Sequence, residues 1–302
     1  MMKDRIFDTI IIGGSYAGLS AAMALGRALR QVLIIDSGKP CNKQTPHSHN
    51  FLTQDGKTPM EISNTAKEQV QKYESIQFYD GSVIRIIKNN ERFQVETESG
   101  QNFNAKKLII ATGIKDVLAD IPGFDKCWGI SVLHCPYCHG YEVKYEKTGI
   151  LGNGDLAYEF SKMISHWTKE FTLFTNGKSN FNEDQIVKLE EKGIKINESE
   201  IEQFEHHNGN IQNVVFKDGS KNQVKAVYAK IPFEQNLNFE EDLGIEMTES
   251  GHIKTDAFYK TNVYGVYACG DSSSMMRSVA NAVASGNTVG AMVNKELIDE
   301  VF

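Results

Sequence analysis

The 302-residue sequence predicts an α/β protein of two Rossmann-like domains of the three-layer ββα type, one inserted into the other. Three observations predict this. A strand, a glycine-rich turn, a helix and a second strand ending in an acid open the chain. The same pattern returns near residue 148. Two further short strands, one closing on Ala111-Thr112-Gly113 and one on Gly270-Asp271, flank that second copy.

In the first copy, the β-rich run Thr9 to Ile12 ends at Gly13-Gly14-Ser15-Tyr16-Ala17-Gly18. Leu19 to Leu29 reads as a helix, and Val32 to Ile35 as a strand that ends at Asp36. This is the βαβ unit of a dinucleotide-binding fold. Gly13 to Asp36 is 23 positions, near the ~20 that separate a glycine fingerprint from its ribose-binding acid. Gly13 permits the tight turn and Gly18 the close packing of helix on strand. Ser15 stands where a second glycine is usual. The free N–H groups of a helix start favour a pyrophosphate. The candidate contacts are Gly13, Gly14, Ser15, Ala17, Gly18, Asp36 and Ser37.

In the second copy, the strand Thr148 to Leu151 leads into Gly152-Asn153-Gly154-Asp155-Leu156-Ala157. A helix at Tyr158 to His166 and a strand at Phe171 to Phe174 follow. Gly152, Gly154 and Ala157 fit the G-x-G-x-x-A form. Its far end is poorer: Thr175-Asn176-Gly177-Lys178 offers no carboxylate for a ribose diol and no arginine fork for a 2′-phosphate. NADPH, NADH and a vestigial site all stay open. The expected domains are 1–115 and 238–302 for the first fold and 116–237 for the inserted one. A closing helix is expected at about 278–297.

His134-Cys135-Pro136-Tyr137-Cys138-His139-Gly140 contains a C-x-x-C. Two thiols at this spacing near a helix start can close a small disulfide, with one thiolate stabilised by N–H groups. His139 is the adjacent acid–base candidate. Two other readings compete. A zinc site would draw a second ligand pair from elsewhere, and the sequence has none; no metal is expected. An incidental pair is the plainer alternative. Cys41, Cys127 and Cys269 have no partner spacing and read as structural. His206-His207, within the polar run Glu202 to Gly209, reads as a solvated turn. Trp128 and Trp167 read as packing residues.

Apolar residues make up 40% of the chain and charged residues 24%, which argues against disorder. The net charge is −7 with no basic run, so neither nucleic acid nor an anionic membrane is the expected partner. Five cysteines are too few for a secreted disulfide scaffold. No apolar stretch approaches the ~20 residues that span a bilayer. Met1 to Asp8 is polar and runs into a strand, so no signal peptide is expected and the protein reads as cytoplasmic.

Two dinucleotide folds, one inside the other, with Cys135-Pro136-Tyr137-Cys138 opening the inserted one, resemble the low-molecular-weight thioredoxin reductase family over nearly the whole chain. Ala111-Thr112-Gly113 is similar to that family's turn after the first half of its FAD domain. Gly265-Val266-Tyr267-Ala268-Cys269-Gly270-Asp271 is similar to its second FAD motif. The resemblance implies FAD along the first fold. Asp271 would meet the ribityl chain, with Val279 and Ala280 near the ring and His49 and Asn50 in a flavin-side loop. His47 and His49 could also line a substrate pocket. The resemblance further implies that Cys138 faces the flavin, that Cys135 exchanges with substrate, that a thioredoxin-like protein or a small dithiol or disulfide is the partner, and that the chain is a homodimer. His139 replaces the family's usual aspartate, and Thr175 and Asn176 stand where it carries an arginine pair. Cys-Pro-Tyr-Cys-His-Gly-Tyr-Glu and Thr-Asn-Gly are similar to a branch that includes flavin dithiol oxidases of disulfide-containing natural products. Electrons would run from NAD(P)H to a disulfide, or from a dithiol to oxygen. A flavoprotein sensor without turnover is the alternative from another class.

Overall fold

A computed structural model describes residues 5–90 and 92–302; of the polar stretch Met1–Asp8, residues 1–4 lie outside the described residues. The first elements are β1 (Ile6–Ile12), α1 (Tyr16–Arg27), β2 (Val32–Asp36), α2 (Pro59–Val70), β3 (Ile76–Asp80), β4 (Val83–Asn89), β5 (Arg92–Thr97), β6 (Asn102–Ile110) and β7 (Ile114–Asp116). There follow α3 (Phe124–Cys127), β8 (Val132–Leu133), α4 (Pro136–His139), β9 (Thr148–Leu151), α5 (Gly154–Ile164), β10 (Phe171–Phe174), α6 (Glu183–Glu191) and β11 (Lys195–Asn197). The chain closes with β12 (Ile201–His207), β13 (Asn210–Phe216), β14 (Lys221–Gln223), β15 (Ala226–Ala229), β16 (Phe233–Gln235), α7 (Phe239–Leu243), β17 (Val266–Ala268) and α8 (Val279–Asp299). Two compact units result, one of residues 1–43, 51–115 and 233–302, the other of 44–50 and 116–232. The chain thus returns to the first unit at Phe233, ahead of the 238 expected from the sequence.

In the first unit β3, β2, β1, β6 and β17 lie side by side and parallel, and the β4–β5 hairpin joins the first half of β6 antiparallel. The central strands are apolar on both faces because both are covered. Ile11, Val32, Ile34 and Ile109 pack under α1, α2 and α8. Their neighbours Ile10, Ile12, Leu33, Ile35, Leu108 and Ile110 pack against Phe93, Val95 and Phe239. That alternation is the strand period of two. Helices α1 and α8 meet through small residues. A Cβ on Gly286 would lie 2.1 Å from the Ala17 carbonyl oxygen, and one on Gly290 2.7 Å from that of Ala21.

The second unit carries a five-stranded parallel sheet in the order β11-β10-β9-β15-β8 and a three-stranded antiparallel sheet β12-β13-β14. Ile150, Leu173, Tyr228 and Leu133 face α5 and α6, while Leu151, Phe174, Val227 and Val132 face the smaller sheet. Both units are therefore Rossmann-like α/β folds, the second inserted in the first.

Two differences from the sequence reading have simple causes. Helix α1 starts at Tyr16 rather than Leu19, because the last fingerprint glycine lies inside the first turn, against the strand. The run Glu202 to Gly209 is mostly strand β12, paired with β13, rather than a solvated turn. The turn itself is Asn208-Gly209, with φ of 49° and 78°, the two left-handed residues that a tight hairpin needs.

Candidate active site

The first unit gathers its candidate residues at the C-terminal ends of β1, β2, β6 and β17, the edge where open parallel sheets bind ligands. Gly13 has φ of 104° and would place a Cβ 2.2 Å from the Ala111 carbonyl oxygen. The turn at Ala111-Thr112-Gly113 is thereby held against the glycine fingerprint. A Cβ on Gly18 would lie 1.9 Å from the Gly13 carbonyl oxygen. Gly14 donates its N–H to Asp36 Oδ1 at 2.9 Å, and Gly38 donates to Oδ2 at 3.2 Å. Ser37 is exposed beside them. Ala17 faces inward, under Gly270 and Gly286, so it sets helix packing. Gly270 donates its N–H to Ser285 Oγ at 3.1 Å, and Arg277 Nε lies 3.7 Å from Asp271 Oδ2. Val279 and Ala280 form the first turn of α8.

Whether FAD fits here is decided by the start of α1. Its N-cap Ser15 makes no side-chain cap bond, and its first turn holds no acid. By contrast, α2 has a full capping box of Thr58 and Glu61, and Ser278 caps α8. No side chain caps the start of α1 and no acid stands in its first turn, where two glycines leave no room for a side chain, the arrangement that suits an anion. These residues fit the pyrophosphate of FAD, and Asp36, at the end of β2 and bonded to Gly14, is the acid that would meet its ribose.

In the second unit, Cys135 follows the end of β8 and is the N-cap of α4, with Pro136 presetting the first helical φ. Cys138 donates its backbone N–H to Cys135 Sγ at 3.2 Å, and the two sulfurs face each other at 2.6 Å. Gly140 ends the turn because a Cβ there would meet the Pro136 carbonyl at 2.4 Å and the Trp167 ring at 2.8 Å. Tyr137 is exposed and stands edge-on to Trp167 at 5.4 Å. The remaining thiols differ. Cys127 and Cys269 are buried, and burial pushes the Cys269 thiol up to about 12. Cys41 is exposed.

Burial pushes His139 below the ordinary imidazole range; Glu142 opposes this and His49 adds to it. His49 Nε2 lies 3.5 Å from Glu142 Oε1. His49 and Asn50 group with the second unit, so the segment expected beside the cofactor brings His49 to the carboxylate that follows the dithiol helix. Glu142 was not singled out by the sequence reading, although its i,i+3 spacing from His139 was the available signal. Among the described residues no cluster of three His, Cys, Asp or Glu is arranged to hold a metal ion.

The second glycine turn is arranged differently from the first. Gly152 and Ala157 pack on each other, as the fingerprint requires. But Asn153 Oδ1 accepts from the N–H groups of both Gly154 and Asn180 at 2.8 Å, and its Nδ2 donates to the Lys178 carbonyl at 2.9 Å. Thr175, at the ribose position, donates to the Gly177 carbonyl at 2.6 Å. The polar side chains of Asn153 and Thr175 are thus bonded within the chain's own loop.

An open anion cradle on one dinucleotide fold and a facing dithiol on another define an FAD-dependent thiol–disulfide oxidoreductase. Residues 7–286 match the model of the pyridine nucleotide-disulphide oxidoreductase family, and the chain belongs to that family. It is 32% identical to "Thioredoxin reductase tcpT" of Claviceps purpurea, over 100% of this chain and 97% of that one. It is 26% identical to the thioredoxin reductase of Bacillus subtilis, over 97% and 95%. Among solved structures, an oxidoreductase from Agrobacterium tumefaciens is 36% identical with a TM-score of 0.91, over 98% and 99% of the two chains. HlmI is 29% identical with a TM-score of 0.93, over 99% and 95%. The chain is a thioredoxin reductase-like flavoenzyme, and no helix among the described residues is long and apolar enough to cross a membrane.

Proposed function

We propose that Cys135 and Cys138 are the redox couple of this enzyme, that Cys135 exchanges with a dithiol or disulfide partner, and that His139 moves the proton. The observation that carries this reading is the pair of facing sulfurs on α4, with the Cys138 N–H donated to Cys135 Sγ. A donor on that sulfur stabilises its thiolate, the form that attacks or leaves. In the oxidising direction, a substrate thiolate attacks Cys135 Sγ of the disulfide and Cys138 leaves as thiolate. The second substrate thiol then attacks the mixed disulfide at the substrate sulfur, and Cys135 leaves. Two electrons pass to the cysteine pair, and neutral His139 accepts a thiol proton. The negative charge of Glu142 raises the proton affinity of that imidazole against the effect of burial. When bound, FAD supplies a two-electron carrier between the dithiol and the external donor or acceptor. Gly13, Gly14, Ser15, Gly18 and Asp36 would hold its pyrophosphate and ribose, with Asp271, Val279 and Ala280 toward its ring.

A specific feature favours oxidation of a small dithiol over nicotinamide-driven reduction. Asn153 ties the 178–180 loop to the second fingerprint, and a nicotinamide nucleotide would have to displace those bonds. This agrees with the branch resemblance of His139 and Thr175-Asn176-Gly177. Anaerobic mixing of the yellow enzyme with NADPH, then NADH, tests the direction. Slow or absent bleaching, with peroxide formed from a dithiol in air, is the expected result. Fast bleaching by either nucleotide would make the chain a reductase of a thioredoxin-like protein. Loss of all exchange in Cys135→Ser is expected; full exchange in that variant would end the assignment, and no turnover with any dithiol or disulfide would leave the sensor reading. A cytoplasmic homodimer completes the proposal, and sedimentation tests the dimer.

A further inference from the structure

Tyr228 is fully buried in the middle of the second unit's sheet, yet its hydroxyl has no hydrogen-bond partner among the described residues. A buried phenol without a partner costs stability, and a phenylalanine would fill the same space without that cost. The ring is fixed by Phe160, edge-on at 6.0 Å. Its direction follows from the strands. Tyr228 on β15 pairs with Leu133 on β8, and both belong to the core cluster under α5 and α6. His134, the next residue, turns to the other side, where its ring meets Trp128 at 6.1 Å. Cys135 is extended, with φ −123° and ψ 111°. The chain bends at His134, and Cys135 lies two residues beyond the Leu133–Tyr228 strand pair, near enough for its charge to act on the Tyr228 hydroxyl.

We propose that Tyr228 is a catalytic hydrogen-bond donor whose hydroxyl meets Cys135 Sγ when that sulfur is a thiolate. This rests on the exchange role of Cys135 proposed above. Electrostatics agree: burial pushes the Tyr228 hydroxyl above the ordinary phenol range, and negative charge on Cys135 and on Glu142 adds to it. The phenol therefore keeps its proton to donate. The other titratable groups around the dithiol are Cys138 and His139 on α4, His134 before it, Glu142 after it and His49 from the 44–50 segment. No electron or proton is transferred by Tyr228. It stabilises the negative sulfur that forms whenever the disulfide or mixed disulfide opens.

The test is the pH profile of Cys135 alkylation in the reduced, FAD-loaded enzyme, read by fragment mass spectrometry after iodoacetamide, for the wild type and Tyr228→Phe. The expected result is a profile for Cys135 moved to higher pH, with alkylation near neutrality slowed about tenfold, the usual worth of one hydrogen bond to a charged group. Flavin content should be kept and the thermal midpoint kept or raised, and a change in packing alone would not move that profile. An unmoved Cys135 profile overturns the proposal and leaves the exchange role intact. A shift confined to the pH dependence of His139 would assign the hydroxyl to Glu142 and overturn it as well. Preferential wild-type alkylation of Cys138 would instead overturn the exchange role of Cys135, and the catalytic meaning of the contact with it.

Discussion

The backbone N–H of Asn180 is donated to the side-chain oxygen of Asn153 at 2.8 Å, which ties the loop after β10 to the glycine turn before α5. One asparagine thereby does for this turn what a ligand does for an open one. Replacing it separates the two arrangements.

Asn153→Gly removes the Gly154, Asn180 and Lys178 bonds together. Loss of the two that tie the loop, those to Asn180 and Lys178, should raise nicotinamide-driven flavin bleaching about tenfold. Stability should fall by about 1–3 kcal/mol, mostly from the two loop bonds, since glycine itself is a tolerated N-cap. Stopped-flow absorbance under argon measures the first and thermal denaturation the second. An unchanged bleaching rate would mean that something other than this asparagine excludes the nucleotide.

Gly18→Ala puts a methyl where the Gly13 carbonyl oxygen is 1.9 Å away. Backbone cannot yield as a side-chain tip does. The variant should lose about 1–3 kcal/mol and should no longer retain flavin through gel filtration. A yellow, fully loaded Gly18→Ala protein would contradict the cradle.

The acid limb of the exchange rate should lie below the ordinary imidazole value of 6.5, because burial holds His139 neutral to lower pH. Glu142→Gln removes the charge that opposes burial, so the limb moves further down; His49→Ala removes a like charge and moves it up. Rate profiles of the two variants should diverge in opposite directions. His139→Ala should slow exchange about 10²–10⁴-fold, the range for a lost acid–base group, with FAD retained.

Lys107 is 2% exposed and pairs with Glu296 at 2.7 Å and with Glu300, while Glu296 also accepts from Tyr267 at 2.9 Å and from Lys260. Burial alone would raise the Glu296 carboxyl, but the bonds from Lys107, Lys260 and Tyr267 outweigh it and hold it below the usual range. Such a depressed carboxyl lends stability that is present above its unfolded value and lost as pH falls through its folded one. Lys107→Met should cost about 2–3 kcal/mol in denaturant unfolding, since it leaves one oxygen of the buried Glu296 carboxylate without its donor while Lys260 and Tyr267 stay on the other. A loss below about 1 kcal/mol would place this pair among solvent-screened ones.

Both nucleotide folds were legible because their signals are local. Ile10 to Gly18 and Ile150 to Ala157 each write a strand, a turn and a helix start into adjacent residues. The strand at Phe171 to Phe174 is likewise bounded as its apolar run suggests. The dithiol turn was legible for the same reason. What sequence spacing did not carry is contact between distant segments. Glu142 meets His49 across 93 positions, and Asn153 meets Asn180 across 27. Tyr228 reads as one more apolar strand residue until β15 is set beside β8. The polar run at Glu202 concealed a strand because only Ile201 and Phe204 of β12 are buried, three positions apart across a register shift, so the period of two is lost.

Helix α8 and strand β17 complete the first unit, yet they leave the ribosome only after the inserted unit has been made. The inserted unit is finished by Pro232. During translation the Ala17–Ala21 seam of α1 and the β6 edge must wait, uncovered, for Gly286, Gly290 and Val266 to emerge. The half of the protein that is made first is therefore the half that folds to completion last. A nascent chain stalled before Val266 should carry a protease-resistant insert on a protease-sensitive amino-terminal half.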